Sequence, residues 1–130
     1  MNSKLIQSAS SIFLALIALL CIFIPDEVLK NFTIDENEYV LLIIQVLGGL
    51  LFGFGITNWM SRTVIMGGIY GKALYMGNLA QFAVGGVALL KWNIKNGFPS
   101  VILGVILVGY IIFLLLYLSV FFSSPKIAGK

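Results

Sequence analysis

Four long apolar runs alternate with short polar segments along the chain, and none of the runs contains a charged residue. A helix crosses the hydrocarbon core of a bilayer in about 20 apolar residues. The pattern therefore predicts four transmembrane helices, over Leu5–Ile24, Tyr39–Met60, Ala73–Leu90 and Pro99–Phe122. The third can begin a turn earlier, near Ile69, and Pro99 is tolerated in the first turn of the fourth.

The segments between these runs are too short to fold as soluble domains: Pro25–Glu38, Ser61–Lys72 and Lys91–Phe98. Short connections place consecutive helices side by side and antiparallel. We therefore predict one all-α transmembrane domain over residues 1–130, an up-down-up-down four-helix bundle. The first connection opens with Pro25-Asp26-Glu27, a good helix start. It is either a short helix with Val28, Leu29 and Phe32 on the membrane surface or a solvated acidic loop.

The composition agrees with a membrane location. Of the 130 residues, 60% are hydrophobic and 10% are charged, whereas a soluble domain carries about a quarter charged residues. A chain this short cannot cover so much apolar surface in water, so its solvent must be lipid. The formal charge of +3 does not come from a basic run interleaved with aromatics, which argues against nucleic acid as a partner.

Two residue types that carry much enzyme chemistry are scarce. The chain has no histidine and one cysteine, Cys21. It therefore offers no imidazole as a metal ligand or base, and no pair of thiols for a redox cycle. We predict no catalytic residue, metal or cofactor. Lys4 followed by an apolar run is typical of a signal peptide, but no small-x-small cleavage site follows, so we expect a retained first helix.

Basic residues near the helix ends predict the orientation. With the N-terminus inside, five bases are cytoplasmic and three are outside: Lys4, Arg62, Lys72, Lys126 and Lys130 against Lys30, Lys91 and Lys95. This ratio satisfies the positive-inside rule and predicts that both termini lie in the cytoplasm. Aromatic residues near the predicted ends fit an interfacial belt: Tyr39 and Trp92 outside, and Trp59, Tyr70, Tyr117 and Phe121 inside.

Glycines predict where helices approach one another closely. Gly49 and Gly53 are spaced i, i+4 on one face of the second span, and the third span carries Gly85 and Gly86. Another helix can pack tightly on such a face because glycine has no side chain. We favour packing within the bundle, and the alternative is an interface in a homo-oligomer or with a membrane partner protein.

Five polar side chains within the spans stand out: Gln45, Asn58, Asn78, Gln81 and Tyr110. An unpaired amide in hydrocarbon costs several kcal/mol, so we predict that they face the interior and bond to one another. Asn78 and Gln81 share a helix face, and Gln81 and Tyr110 both fall near the midplane. The set is either a ligand pocket or a group of interhelical hydrogen bonds, and we favour the second.

The connection before the third span contains Gly67, Gly68 and Gly71 followed by Lys72. It fails the phosphate-loop pattern, because the first glycine is one place too close and Ala73 replaces the required Ser or Thr. We predict a turn that opens the third helix. Arg62 and Lys72 are candidates for contact with anionic membrane lipids.

Three features carry a resemblance over the whole chain. They are the acidic first connection, Gly55-Ile56-Thr57-Asn58-Trp59-Met60 at the end of the second span, and Gly67-Gly68-Ile69-Tyr70-Gly71-Lys72 with Gly77-Asn78 at the start of the third. In this layout the chain resembles small uncharacterised bacterial inner-membrane proteins and, in outline, the DoxX-type four-helix group. Some DoxX-type proteins are linked to quinone or thiol redox chemistry. No residue here matches such a role, so the resemblance implies location and fold.

These features favour a non-enzymatic membrane bundle that binds a partner protein or lipid, as an accessory or structural subunit. The alternative is a small transporter or channel component in which the amides line a path for a neutral solute. Its spans lack the carboxylates expected of a proton relay. An enzyme that works at the membrane surface ranks last, because it would need acid-base groups and every acid lies in the first connection. A quinone-linked oxidoreductase subunit also ranks below the first two functions, because no residue matches that role.

The predicted orientation can be tested by labelling whole cells with an impermeant thiol reagent. In a Cys21→Ala background, Asn37→Cys should react, because the first connection faces the outside. Ser124→Cys should stay unlabelled until the cells are opened, and its labelling on intact cells would overturn the orientation.

Overall fold

A computed structural model describes residues 2–32, 34–64 and 68–123. Its helices are α1 (Ser3–Phe23), α2 (Pro25–Lys30), α3 (Glu38–Met60), α4 (Ile69–Asn96) and α5 (Val101–Ser123). The described residues contain no strand, and the four long helices are apolar and long enough to cross a membrane. They pack together, so the predicted all-α class with four membrane-length helices is confirmed. Lys126, Lys130 and Gly67, which entered the predicted charge count and turn, lie outside the described residues.

The third long helix begins at one of its two predicted starts and extends beyond its predicted end. α4 begins at Ile69, the earlier of the two predicted starts, and continues past Leu90 and Lys91 to Asn96. Charge ends the apolar run but not the helix, because lysine is a good helix former. The helix stops where Gly97 adopts a φ of 71°, a left-handed conformation that glycine takes at little cost.

The fourth long helix begins later than predicted, at Val101 rather than at Pro99. The hydroxyl of Ser100 accepts a hydrogen bond from the backbone N–H of Leu103 at 3.4 Å. Serine in this position pairs one of the N–H groups that a helix start leaves free. Pro99 therefore lies in the connection, and Ser100 caps the helix.

The most extensive helix contact is between α1 and α3, which run antiparallel. A Cβ atom at Gly48 would lie 2.9 Å from the Cβ of Cys21, and one at Gly55 would lie 3.2 Å from the backbone oxygen of Ser11. The Ser11 hydroxyl also donates to the backbone oxygen of Gly55 at 2.6 Å. Gly48 and Gly55, with buried Leu51 between them, form the face of α3 that meets α1.

Gly49 and Gly53, predicted to pack within the bundle, lie on a neighbouring face of α3 and are exposed. Among the described residues, no atom lies within 4 Å of the position a Cβ would take at either glycine. The prediction of packing within the chain was therefore wrong for these two. The second span is apolar on every side, and it carries glycines both on the face that α1 covers and on the exposed face. The spacing of the glycines in the sequence therefore could not predict which face is buried.

α4 and α5 also run antiparallel and pack through aromatic rings. A Cβ at Gly85 would lie 2.6 Å from Cε1 of Tyr110, and one at Gly86 would lie 3.8 Å from Cβ of the same tyrosine. Further along, buried Phe82 stacks on Tyr117 with ring centroids 5.7 Å apart. Contact between α1 and α5 joins the two helix pairs.

α2 folds back onto the bundle. Leu29 is buried in a small apolar cluster at the ends of α1 and α3. Asn31 accepts a hydrogen bond from the Ser100 hydroxyl at 2.7 Å, and the Phe32 ring meets Trp92 edge-on. Of the two readings of the first connection, the helix is correct, but Leu29 covers the bundle rather than the membrane surface. We call this the α2 end and the opposite one, where α3 ends, the Arg62 end.

A pair of glycine variants tests the α1–α3 contact. Gly55→Leu should lower the melting temperature in detergent, because its side chain would meet the backbone of Ser11, and overpacking costs about 1–3 kcal/mol. Gly53→Leu should melt like the wild type, because that face is open. Equal melting of the two variants would show that α1 and α3 do not meet at Gly55.

Candidate functional site

Five buried side chains form a polar cluster at the Arg62 end. The polar cluster consists of Gln7 and Ser10 from α1, Asn58 from α3, Asn78 from α4 and Tyr117 from α5. None is more than 1% exposed. Every long helix contributes at least one member, so all four helices meet at this level of the bundle.

The members of the polar cluster bond to one another. Asn58 and Asn78 form a reciprocal pair, in which each Nδ2 donates to the other's Oδ1 at 2.7 Å. Asn58 Nδ2 also donates to Ser10 Oγ at 3.1 Å. The hydroxyls of Ser10 and Tyr117 are 2.8 Å apart, and Tyr117 donates to Gln7 Oε1. A continuous chain of hydrogen bonds therefore runs from α4 through α3 and α1 to α5.

This bonding leaves the polar cluster little capacity for chemistry. It contains no carboxylate, imidazole or amine that could act as an acid or base. None of its members lines the groove between α3 and α4 or the cavity between α1, α2 and α5. Its geometry matches interhelical hydrogen bonding, which contributes about 0.6 kcal/mol per bond in membrane proteins.

Sequence reasoning missed the α1 members and misplaced Tyr117. The sequence predicts Tyr117 in the interfacial belt, but the structure buries it, because its hydroxyl finds Gln7 and Ser10 inside the bundle. A signal for the α1 members was present: polar and small residues recur at helical spacing on the face that is buried. That face carries Gln7, Ser10, Ser11, Leu14, Ala18 and Cys21.

Gln81 and Tyr110 form a second polar contact, further from the Arg62 end. Gln81 Nε2 donates to the Tyr110 hydroxyl at 3.1 Å, and Gln81 Oε1 is buried with no partner among the described residues. Asn78 and Gln81 therefore share a helix face but bond to different helices, since Asn78 pairs with Asn58. The structure replaces the single predicted set with two separate contacts.

Gln45 belongs to neither contact. It is exposed on α3 near the α2 end, and its Nε2 lies 3.5 Å from the backbone oxygen of Ile22. The predicted interior position was wrong, because the preceding residue, Ile44, is the one that α3 buries here. The amide instead reaches a backbone carbonyl across the edge of α1.

An open groove of about 630 Å³ separates α3 from α4 on the outside of the bundle. Gly49 and Gly53 line its α3 wall, and Ala73 and Gly77 line its α4 wall. Each pair is spaced i, i+4, so its members lie along one face of their helix. From Gly49 to Thr57 the α3–α4 groove follows the helix for about 12 Å.

The two basic residues predicted to contact lipid lie away from the α3–α4 groove. The guanidinium carbon of Arg62 lies 4.4 Å from the centre of the Trp59 ring, and Arg62 donates to the backbone oxygen of Trp59. Lys72 is exposed but follows groove-lining Tyr70 by two residues, which places it on the far side of α4. Their contact with lipid head groups stays a prediction.

No protein-family model, curated protein or solved structure matches the chain. Its class therefore follows from the helices themselves. Four apolar helices of membrane length are consistent with a small multi-pass membrane protein.

A double-mutant cycle tests the Asn58–Asn78 pair. Asn58→Leu should lower the free energy of unfolding in detergent by about 1–3 kcal/mol, because Asn78 keeps a buried amide without its partner. Removing both amides should cost less than the sum of the single losses. Asn96→Leu, at an exposed position near the end of α4, is the matched control and should change little. Additive losses would contradict the pair.

Proposed function

We propose that this protein is a non-enzymatic accessory subunit that binds a transmembrane helix in the α3–α4 groove. The observation that carries the proposal is the open space above Gly49 and Gly53. Helices associate in a bilayer mainly by close packing, and small residues spaced i, i+4 allow two backbones to approach. The glycines that α1 does not cover are therefore available to a helix from another chain.

The opposite wall supports the same occupant. Ala73 and Gly77 provide a second pair of small residues on α4 across the groove. A helix that crosses obliquely would contact both walls over about 12 Å, or roughly two turns. Leu50, Phe54 and Leu74 also line the groove and would supply van der Waals contact on either side.

A transport or enzymatic role has less support. A path for a neutral solute needs polar groups that face it, whereas Asn58 and Asn78 bond to each other and Gln45 is exposed on the outside. The groove is lined by apolar side chains with the hydroxyls of Thr57 and Tyr70, and without a carboxylate or amine. The groove is therefore suited to bind a partner through van der Waals contact and complementary shape.

The proposed location is the bacterial inner membrane, with the Arg62 end in the cytoplasm. Four of the five acids of the chain lie between α1 and α3, and the fifth, Glu38, is the first residue of α3. Lys4, Arg62 and Lys72 lie at the other end. This distribution follows the positive-inside rule, and the resemblance to DoxX-type proteins implies the same membrane.

Photo-crosslinking from inside the groove tests the proposed function. A photoreactive amino acid at Gly53 should give a protein adduct when cells are irradiated, either with a second copy or with a different membrane protein. Phe52 is exposed on α3 but does not line the groove, so the same amino acid there is the matched control. It should give little or no protein adduct.

A variant that fills the α3–α4 groove provides a second test of the proposed function. Gly53→Leu should abolish the partner's co-purification while the melting temperature stays near that of the wild type, because nothing lies within 4 Å of that position in the described chain. Adducts with lipid alone, or equal protein adducts from positions 53 and 52, would overturn the proposal.

A further inference from the structure

A second cavity, separate from the α3–α4 groove, lies between α1, α2 and α5 at the α2 end. It encloses about 290 Å³, close to the lower limit of ligand pockets at about 300 Å³. Ile17 and Ile106 line it furthest from the helix ends, and Glu27 and Val28 of α2 line its outer side. We call it the α2 cavity.

Polarity changes along the α2 cavity. It follows α1 and the residue after it, from Ile17 to Ile24, for about 10 Å, and this wall consists of aliphatic side chains and the Cys21 thiol. Its polar lining residues are Glu27 in α2 and Asn31 directly after α2. A molecule with an apolar body and a polar head group matches this arrangement.

The charge of the residues at the outer edge of the α2 cavity, which we call its rim, determines which head group can bind. Both polar groups of the Asn31 side chain already have hydrogen-bond partners: its Nδ2 donates to the backbone oxygen of Glu27 at 2.9 Å, and its Oδ1 accepts from Ser100 at 2.7 Å. Glu27 accepts from Lys30 through Oε1 at 2.6 Å, and its other oxygen has no partner in the described part of the chain. The surrounding segment, residues 25–38, carries five acids and one base. The rim therefore favours a cation.

Lys30 is a weak competitor for this carboxylate. The side chains of Lys30 and Glu27 are 67% and 57% exposed, and exposed ion pairs contribute little to stability. The hydrogen bond and charge of Glu27 raise the pKa of Lys30, so the lysine is protonated at neutral pH. A ligand cation would thus exchange one ammonium for another at Glu27.

We propose that the α2 cavity binds a cationic amphiphile, with its hydrocarbon body between α1 and α5 and its ammonium group on Glu27. An anionic amphiphile of equal length would be repelled by the carboxylate and would lose the charge-assisted hydrogen bond. The cavity therefore discriminates by head group, independently of whether a helix binds in the α3–α4 groove.

The single cysteine of the chain makes occupancy measurable, because Cys21 lines the cavity. In nonionic detergent, decylammonium should slow the alkylation of Cys21 by N-ethylmaleimide several-fold, and decyl sulfate at the same concentration should not. Glu27→Gln should raise the half-protecting concentration of decylammonium by roughly tenfold. Glu38→Gln, at an exposed carboxylate that does not line the cavity, is the matched control and should change it much less than Glu27→Gln does.

Two further variants test the competing lysine and the volume of the cavity. Lys30→Gln removes the competing ammonium and should lower the half-protecting concentration. Ile106→Trp fills the cavity and should slow alkylation without any ligand, whereas Val105→Trp, at an exposed position, should not. Equal protection by the two amphiphiles, protection that Glu27→Gln leaves unchanged, or no protection at all would each overturn the proposal.

Discussion

An amide side chain in hydrocarbon has no water to bond, so it must find a protein partner or destabilise the fold. Asn58 and Asn78 meet this requirement through each other, and Ser10 and Tyr117 extend the bonding to α1 and α5. The two amides must lie at one depth to form their reciprocal bonds. Their pairing therefore fixes the position of α4 relative to α3 along the bundle axis. α1 and α5 join the same hydrogen-bonded layer through Ser10 and Tyr117.

The α3–α4 groove is a consequence of this arrangement. α3 gives its Gly48 and Gly55 face to α1, while α4 gives its Gly85 and Gly86 face to Tyr110 of α5. The amide pair and apolar contacts in the shared core join α3 to α4 on the inside, and the groove lies between their outer walls. Gly49 and Gly53 on the α3 wall are left open for close packing, whereas Gly77 on the α4 wall lies near the Phe54 ring.

The two ends of the bundle differ in how they are closed. Hydrogen bonds among buried side chains close the Arg62 end, whereas α2 covers the other with Leu29 directed inward and acids on the outside. The cover is incomplete, since the α2 cavity remains between α1 and α5. The two proposed sites accordingly differ in chemistry: an uncharged groove shaped for a helix, and a pocket with a carboxylate at its rim.

The sequence by itself determined the number of long helices, because an uncharged apolar run of about 20 residues is sufficient for one. It also put Gln81 and Tyr110 at a common depth, since rise per residue is constant along a helix. Only the tertiary structure decided which face of each helix is buried. α3 is apolar all round, so burial of Gly48 and not Gly49 depends on α1, and burial of Tyr117 depends on Gln7, more than 100 residues away in the chain. Such choices depend on partners that residue spacing within one helix does not encode.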